Sequence, residues 1–199
     1  MRRPKRPTVD LLVLFVCVFA VQQVAGAVGF GVESFALATP LRRPWTLVTT
    51  VYAHASLGHL LANAVGLAVV GVVLERSTTR ARFHAFVLVT GMVSAAAEFL
   101  VGVALGSPVA VLGGSGAILA SFGYVLAGNR VVGGALSRLS LGRRGATALL
   151  LAVAAAVTLL TAGPGVALVA HGTGFAVGAV AGRVGVLRAA PETGRVDPS

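Results

Sequence analysis

Cysteine is almost missing from this chain: Cys17 stands alone, inside an apolar run. That excludes a disulfide framework and a thiol metal cluster. Charge is equally scarce. Charged residues make up 11% of the 199 positions, against about a quarter in soluble domains. Aromatic residues reach only 6% and do not interleave with the basic ones as on a nucleic-acid platform. The formal net charge of +10 therefore does not point to RNA or DNA. What the sequence has in excess is apolar side chains, at 56% of residues, with a mean hydropathy of +0.91.

These residues fall into runs bounded by charges and by Gly/Pro breaks, several of them long enough to cross a bilayer. Six helical spans are expected, over Leu11–Gly31, Leu57–Leu74, Phe83–Leu105, Ser115–Ala127, Ala146–Thr161 and Val166–Val186. The fold class is an all-α polytopic membrane protein. Residues 1–10 form a basic tail, 11–187 the membrane domain and 188–199 a second tail. The fourth span is short, which suits a helix starting below the membrane surface in a protein-lined or wet environment. A secretory signal peptide is the competing reading of the N-terminus. Arg2, Arg3, Lys5 and Arg6 precede the apolar run, and Ala25-Gly26-Ala27 resembles a cleavage site. The run reaches spanning length, which favours a retained first helix.

Loop charge sets the expected orientation. The N-terminal tail holds four Lys/Arg, the Glu75–Arg82 loop three, the Gly128–Gly145 loop four and the C-terminal tail three. The opposite side holds only Arg42 and Arg43. Fourteen against two predicts that both termini are cytoplasmic. Helices two, four and six then run inward from the outer face.

Polar side chains inside spans are costly and mark functional sites by default. His59 and Asn63 fall in the first turns of helix two and, four residues apart, share one face. Ser115 opens helix four within Gly113-Gly114-Ser115-Gly116, and His171 lies near the start of helix six. All four sit at one outer depth. A helix N-terminus favours developing negative charge, and a serine hydroxyl needs a base within hydrogen-bond reach. His171 supplies an imidazole for that proton. Singly, each feature has a bland reading: a flexible Gly-Ser loop, or a histidine that ties helices together. Their shared depth is what argues for catalysis. Gly174, Gly178 and Gly182 form a small-residue stripe on helix six. Helix four offers Gly116, Ala120, Gly123 and Ala127. Close approach of the two would carry Ser115 to His171.

These residues resemble the rhomboid family of intramembrane serine proteases, over roughly Trp45 to Gly182. The second-helix signature reads His54-Ala-Ser-Leu-Gly-His59-Leu-Leu-Ala-Asn63, the nucleophile motif Gly113-Gly114-Ser115-Gly116, and the sixth-helix pattern His171-Gly-Thr-Gly174-Phe-Ala-Val-Gly178. The resemblance implies a six-helix rhomboid-like bundle and a Ser115–His171 dyad without a carboxylate. It implies an oxyanion site made by His59, Asn63 and the backbone N–H of Ser115. It gives structural roles to His54, Trp45 and Glu75. No cofactor or metal is implied. The expected partners are the lipid bilayer and single-span membrane proteins, cleaved near the outer face after entering beside a mobile fifth helix. Gly163-Pro164-Gly165 would serve as a flexible cap. The Arg/Ala/Gly/Val-rich composition suggests a GC-rich prokaryote, hence its plasma membrane.

Two positions depart from the family pattern. Thr46 follows Trp45 where arginine is usual, and Leu119 stands where many members carry a tyrosine that stacks on the catalytic histidine. Glu98 is an expensive carboxylate in helix three. It is open to three readings: protonated, hydrated by a cavity, or hydrogen-bonded to another helix, with a role in orienting His171 as a further option. His84 is expected near the cytoplasmic interface. Two other functions remain open at this point: a catalytically silent relative that binds membrane helices, and a small transporter relaying protons through His171 and Glu98. The transporter reading lacks the internal repeat that such folds show.

Overall fold

The computed structural model describes residues 6–128 and 166–188, with positions 145, 148, 149 and 152 between them. Nearly all of the expected fifth span lies outside the described residues, as do Gly163-Pro164-Gly165 and both tails beyond Arg6 and Arg188. The elements run α1 (Pro7–Ala27), a 3-10 turn (Val32–Ser34), β1 (Leu37–Ala38), α2 (Thr46–Thr49), α3 (Leu57–Leu74), α4 (Arg80–Ala104), β2 (Ala110–Val111), α5 (Ser115–Gly128) and α6 (Leu168–Val184). Three of these helices, α1, α3 and α4, are long and apolar enough to cross a membrane, while α5 and α6 are shorter apolar helices.

The bounds of α3 coincide with expectation, because Ser56 caps its first turn by accepting the His59 N–H at 3.1 Å. Two other helices start earlier than expected. Helix α1 begins at Pro7, with a proline in its first turn and Asp10 at its positive end. Helix α4 begins at Arg80, after Thr79 accepts the Arg82 N–H. Hydropathy registers the core of an apolar run, whereas α1 starts at a proline suited to a first turn and α4 just after its threonine cap.

The surface is far more apolar than that of a water-soluble bundle, and several polar side chains lie within the apolar core. Large apolar side chains such as Val13, Val24, Val65, Val89 and Leu100 are exposed. Gln22, Asn63, Thr90, Ser94, Ser121 and His171 face inward. An exposed apolar surface around polar interior contacts is what lipid on the outside demands. Helix α1 buries a narrow stripe of Thr8, Leu11, Phe15 and Gln22. Leu11 and Phe15 join a core with Leu67 and Val70 of α3, Phe83 and Val87 of α4, and Ala117 and Tyr124 of α5.

Helix α6 packs mainly on α5 and also on α4. A Cβ at Gly174 would strike the Gly116 carbonyl oxygen, at Gly178 that of Ala120, and at Gly182 that of Tyr124. The constant offset means that α5 and α6 run parallel, backbone against backbone. The small-residue stripe expected on α6 is therefore in contact. On α5, however, the matching positions are Gly116, Ala120 and the backbone of Tyr124, while Gly123 fits beneath Phe175 and Ala179.

The bundle end holding the N-terminus of α1 is tied by polar contacts. Asp10 pairs with Arg80 at 2.8 Å and lies 3.4 Å from His84. The Thr8 N–H donates to Glu75 at 3.2 Å, and the Leu187 N–H to the Tyr124 hydroxyl at 3.1 Å. Gly178→Ala should cost about 1–3 kcal/mol by overpacking this seam. Gly26→Ala, with nothing within 4 Å of the new methyl, should be neutral or mildly stabilising. Thermal midpoints in detergent would show the contrast.

Candidate active site

The N-termini of α3, α5 and α6 gather at the opposite end of the bundle. The Gly114 carbonyl accepts the Ile118 N–H at 3.0 Å, so Ser115 is the first residue of α5 and its N–H has no partner within the helix. His171 lies in the first turn of α6, its N–H donating to the Ala167 carbonyl at 3.1 Å. The parallel seam brings their side chains together, with Ser115 Oγ and His171 Nε2 2.9 Å apart. This is a full hydrogen bond between a hydroxyl and an imidazole.

His59 and Asn63 stand on the neighbouring face of α3. The His59 ring lies over Gly113, where a Cβ would come within 2.6 Å of Cε1 and 2.7 Å of Nε2. The Ala55 N–H approaches His59 Nδ1 at 3.5 Å, which favours Nδ1 as acceptor and the proton on Nε2. Asn63 Nδ2 donates to the His59 carbonyl at 2.9 Å and carries a second N–H. All four side chains line one cavity of about 650 Å³, together with Leu119 and Gly66.

The loop ahead of Ser115 is tethered rather than free. Strands β1 and β2 pair antiparallel, Leu37 opposite Val111 and Ala38 opposite Ala110. The Val109 N–H donates to Thr39 Oγ1 at 2.9 Å, the Thr50 hydroxyl to the Val111 carbonyl at 2.5 Å, and the Gly113 N–H to the Thr50 carbonyl at 2.8 Å. Gly113 has φ +114, a conformation open to glycine and strained for other residues.

His54 is fully buried beneath the cavity. Its ring centroid lies 4.8 Å from that of Phe15 and 5.3 Å from that of His59. Gln22 of α1 clasps its backbone, accepting the His54 N–H at 2.9 Å and donating to the His54 carbonyl at 3.2 Å. Sequence reasoning missed Gln22, although a glutamine inside an apolar span is a visible signal. It also missed Thr39 and Thr50. Trp45 lies away from the dyad, exposed at the start of α2, and Glu75 sits at the far end on the first turn of α1. Thr46 is buried, with its hydroxyl donating to the Arg43 carbonyl at 2.5 Å. Leu119 packs beside Phe175 and Ala179 of α6. Gly116 and Gly174 meet across the seam, with Ser94 of α4 against both. Among the described residues, no three His, Cys, Asp or Glu side chains gather as an ion would require.

Burial, and secondarily the nearby His59, hold the His54 imidazole down to about 4 from its usual 6.5. Between these values the unfolded chain takes up a proton that the folded chain refuses. Stability should therefore fall as pH drops from about 6.5 to about 4. Melting curves across that window should flatten in His54→Phe, which keeps an aromatic ring and removes the titration.

No curated protein gives a significant match. A family model described as the Rhomboid domain matches residues 41–188, which takes in α2 to α6 and every residue around the cavity. A match over most of the chain, joined to apolar helices that enclose a Ser–His pair, has one reading: the chain belongs to the rhomboid family, as a multi-pass membrane protein.

Proposed function

We propose that this protein is an intramembrane serine endopeptidase with Ser115 as nucleophile and His171 as base. The observation that carries the reading is the 2.9 Å separation of Ser115 Oγ and His171 Nε2 at the wall of a cavity. Serine proteolysis is the general activity of the family, which adds independent support. The proton of the Ser115 hydroxyl passes to His171 Nε2 as Oγ bonds to a peptide carbonyl carbon. The resulting imidazolium then gives that proton to the departing amine nitrogen. Water repeats the sequence on the acyl-serine and restores the free hydroxyl.

The oxyanion of each tetrahedral intermediate would accept from the Ser115 N–H, from His59 Nε2 and from the free N–H of Asn63. The dipole of α5 adds positive potential at the same place. Such donors act most strongly where water is limited and their positions are already set. Here the Gly113–Thr50 bond, the His59 contact on Gly113 and the bond from Asn63 to its own helix support that preorganisation. His54 and Gln22 would hold the base of α3, Glu75 the start of α1, and Trp45 the first loop.

The finer topology belongs to the same proposal. Six spans with both termini cytoplasmic, in a prokaryotic plasma membrane, place the cavity toward the outer face. The loop charges support this orientation. Substrates would be single-span membrane proteins whose helices unwind easily near that face, since a peptide bond must leave its helix before a serine can reach it.

A serine-directed fluorophosphonate should label the folded protein. Labelling should vanish in Ser115→Ala and fall by about 10³-fold or more in His171→Ala. A panel of labelled transmembrane segments should yield fragments with wild type and none with Ser115→Ala. Helix binding without fragments or labelling would leave the silent relative as the better reading.

A further inference from the structure

Two features have no part in the mechanism above: an open groove lined by Glu33, Arg42, Arg43 and Trp45, and Glu98. Glu98 reaches further. It projects from α4 as a half-buried carboxylate, in a helix whose other polar inward residues are Thr90 and Ser94. Glu98 Oε2 accepts the Ala170 N–H at 2.9 Å. Ala170 is in the first turn of α6 and directly precedes His171. That turn has no cap of its own, because Ala167 stands in the N-cap position without a polar side chain. The first four N–H groups of a helix lack partners within it, and leaving them bare inside a bilayer is costly. A carboxylate also suits the positive end of the helix dipole. Glu98 thus does from a neighbouring helix what Ser, Thr or Asp would do locally.

The residues below Glu98 on the same α4 face show what that contact aligns. Gly91 lies against Ala117 of α5. Ser94 sits where a Cβ on Gly116 would come within 2.5 Å of its Cβ and one on Gly174 within 3.0 Å of its hydroxyl. Gly91, Ser94 and Glu98 repeat at three- and four-residue spacing, so one stripe of α4 braces α5 beside Ser115 and α6 beside His171. The hydrogen bond to Ala170 fixes the turn that carries the imidazole.

We infer that Glu98 is a positioning residue for the protease reaction, holding His171 over Ser115 through the Ala170 N–H bond that caps the first turn of α6. This deepens the protease reading and rests on it. Displacing reacting groups by about 1 Å can cost about a hundredfold in rate, so a cap one residue from the base has leverage on kcat. It has little on KM, because Glu98 is not among the residues lining the cavity.

The test uses the full-length protein in detergent with Glu98→Gln and Glu98→Met. Glutamine keeps an acceptor oxygen at the same reach. Methionine keeps roughly the same volume and is itself tolerated in the bilayer, so it removes the acceptor and leaves the Ala170 N–H without that partner. Glu98→Met should lower kcat and the fluorophosphonate labelling rate at least about tenfold with KM within about twofold, and Glu98→Gln should stay within about threefold of wild type. Amide hydrogen exchange at Ala170 should quicken in the methionine variant alone. Unchanged kcat in a folded Glu98→Met overturns the proposal. So does a glutamine variant no better than methionine, or a loss of activity matched by loss of folded protein at a constant labelling rate per folded molecule. A wild type that neither labels nor cleaves overturns the protease reading itself. The exchange arm then still reports whether Glu98 holds the turn, so the two failures are told apart.

Discussion

The close approach of α5 and α6 is the constraint on which the rest of the site depends. Two parallel helices bring a serine and a histidine to 2.9 Å only if their backbones nearly touch, and Gly174, Gly178 and Gly182 permit that against the carbonyls of Gly116, Ala120 and Tyr124. In lipid no hydrophobic force drives apolar helices together, since acyl chains solvate leucine as well as a neighbouring helix does. Dispersion between close backbones and a few polar contacts must suffice. Packing and chemistry are therefore coupled along one seam. A side chain that props the helices apart also stretches the Ser115–His171 contact.

That seam is not self-sufficient, which explains the polar contacts around it. Thr90 and Ser94 return their hydroxyls to their own helix carbonyls at 2.7 Å each, so these inward groups carry no unmet demand into the core. Glu98 is different, because its partner is a backbone N–H on another helix. Gln22 is different in the same way, gripping both backbone groups of His54 from α1. Each is a polar side chain inside a span that substitutes for missing secondary structure elsewhere. Costly residues persist in such positions when they satisfy backbone that the fold leaves bare.

How much of this was legible in the sequence depends on how far the information had to travel. The bounds of α3 were readable because Ser56 and Glu75 punctuate an apolar run locally. Those of α1 and α4 were displaced by a few residues, since Pro7 and Arg80 are helical yet not apolar. The common depth of His59, Asn63, Ser115 and His171 followed from which helix ends they occupy. The tethers did not follow. Gln22 meets His54 across 32 residues, Thr50 meets Val111 across 61 and Glu98 meets Ala170 across 72. In each pair at least one partner is a main-chain group, which every residue possesses and no sequence pattern marks. Glu98 announced itself as anomalous, and nothing in its neighbours named Ala170.

The Gly-Gly-Ser-Gly segment shows the same division more sharply. As a pattern it is weak, because glycine-serine loops are common. In the structure its three glycines are required by three different neighbours. Gly113 adopts φ +114, gives its N–H to Thr50 and leaves room for the His59 ring. Gly114 admits Phe15 of α1, whose ring would lie 2.7 Å from a Cβ there. Gly116 lets α4 approach through Ser94. The loop is thus the point where α1, α3 and α4 converge on the start of α5. In the proposed mechanism the oxyanion site is the space they leave at that point. Its donors come from α5 and α3, and its rigidity comes from contacts that only hydrogen-sized side chains allow. The glycines of this motif are better understood as three separate steric permissions than as one flexible loop. Tethered at Val109, Val111 and Gly113, the segment has little freedom left to be flexible with.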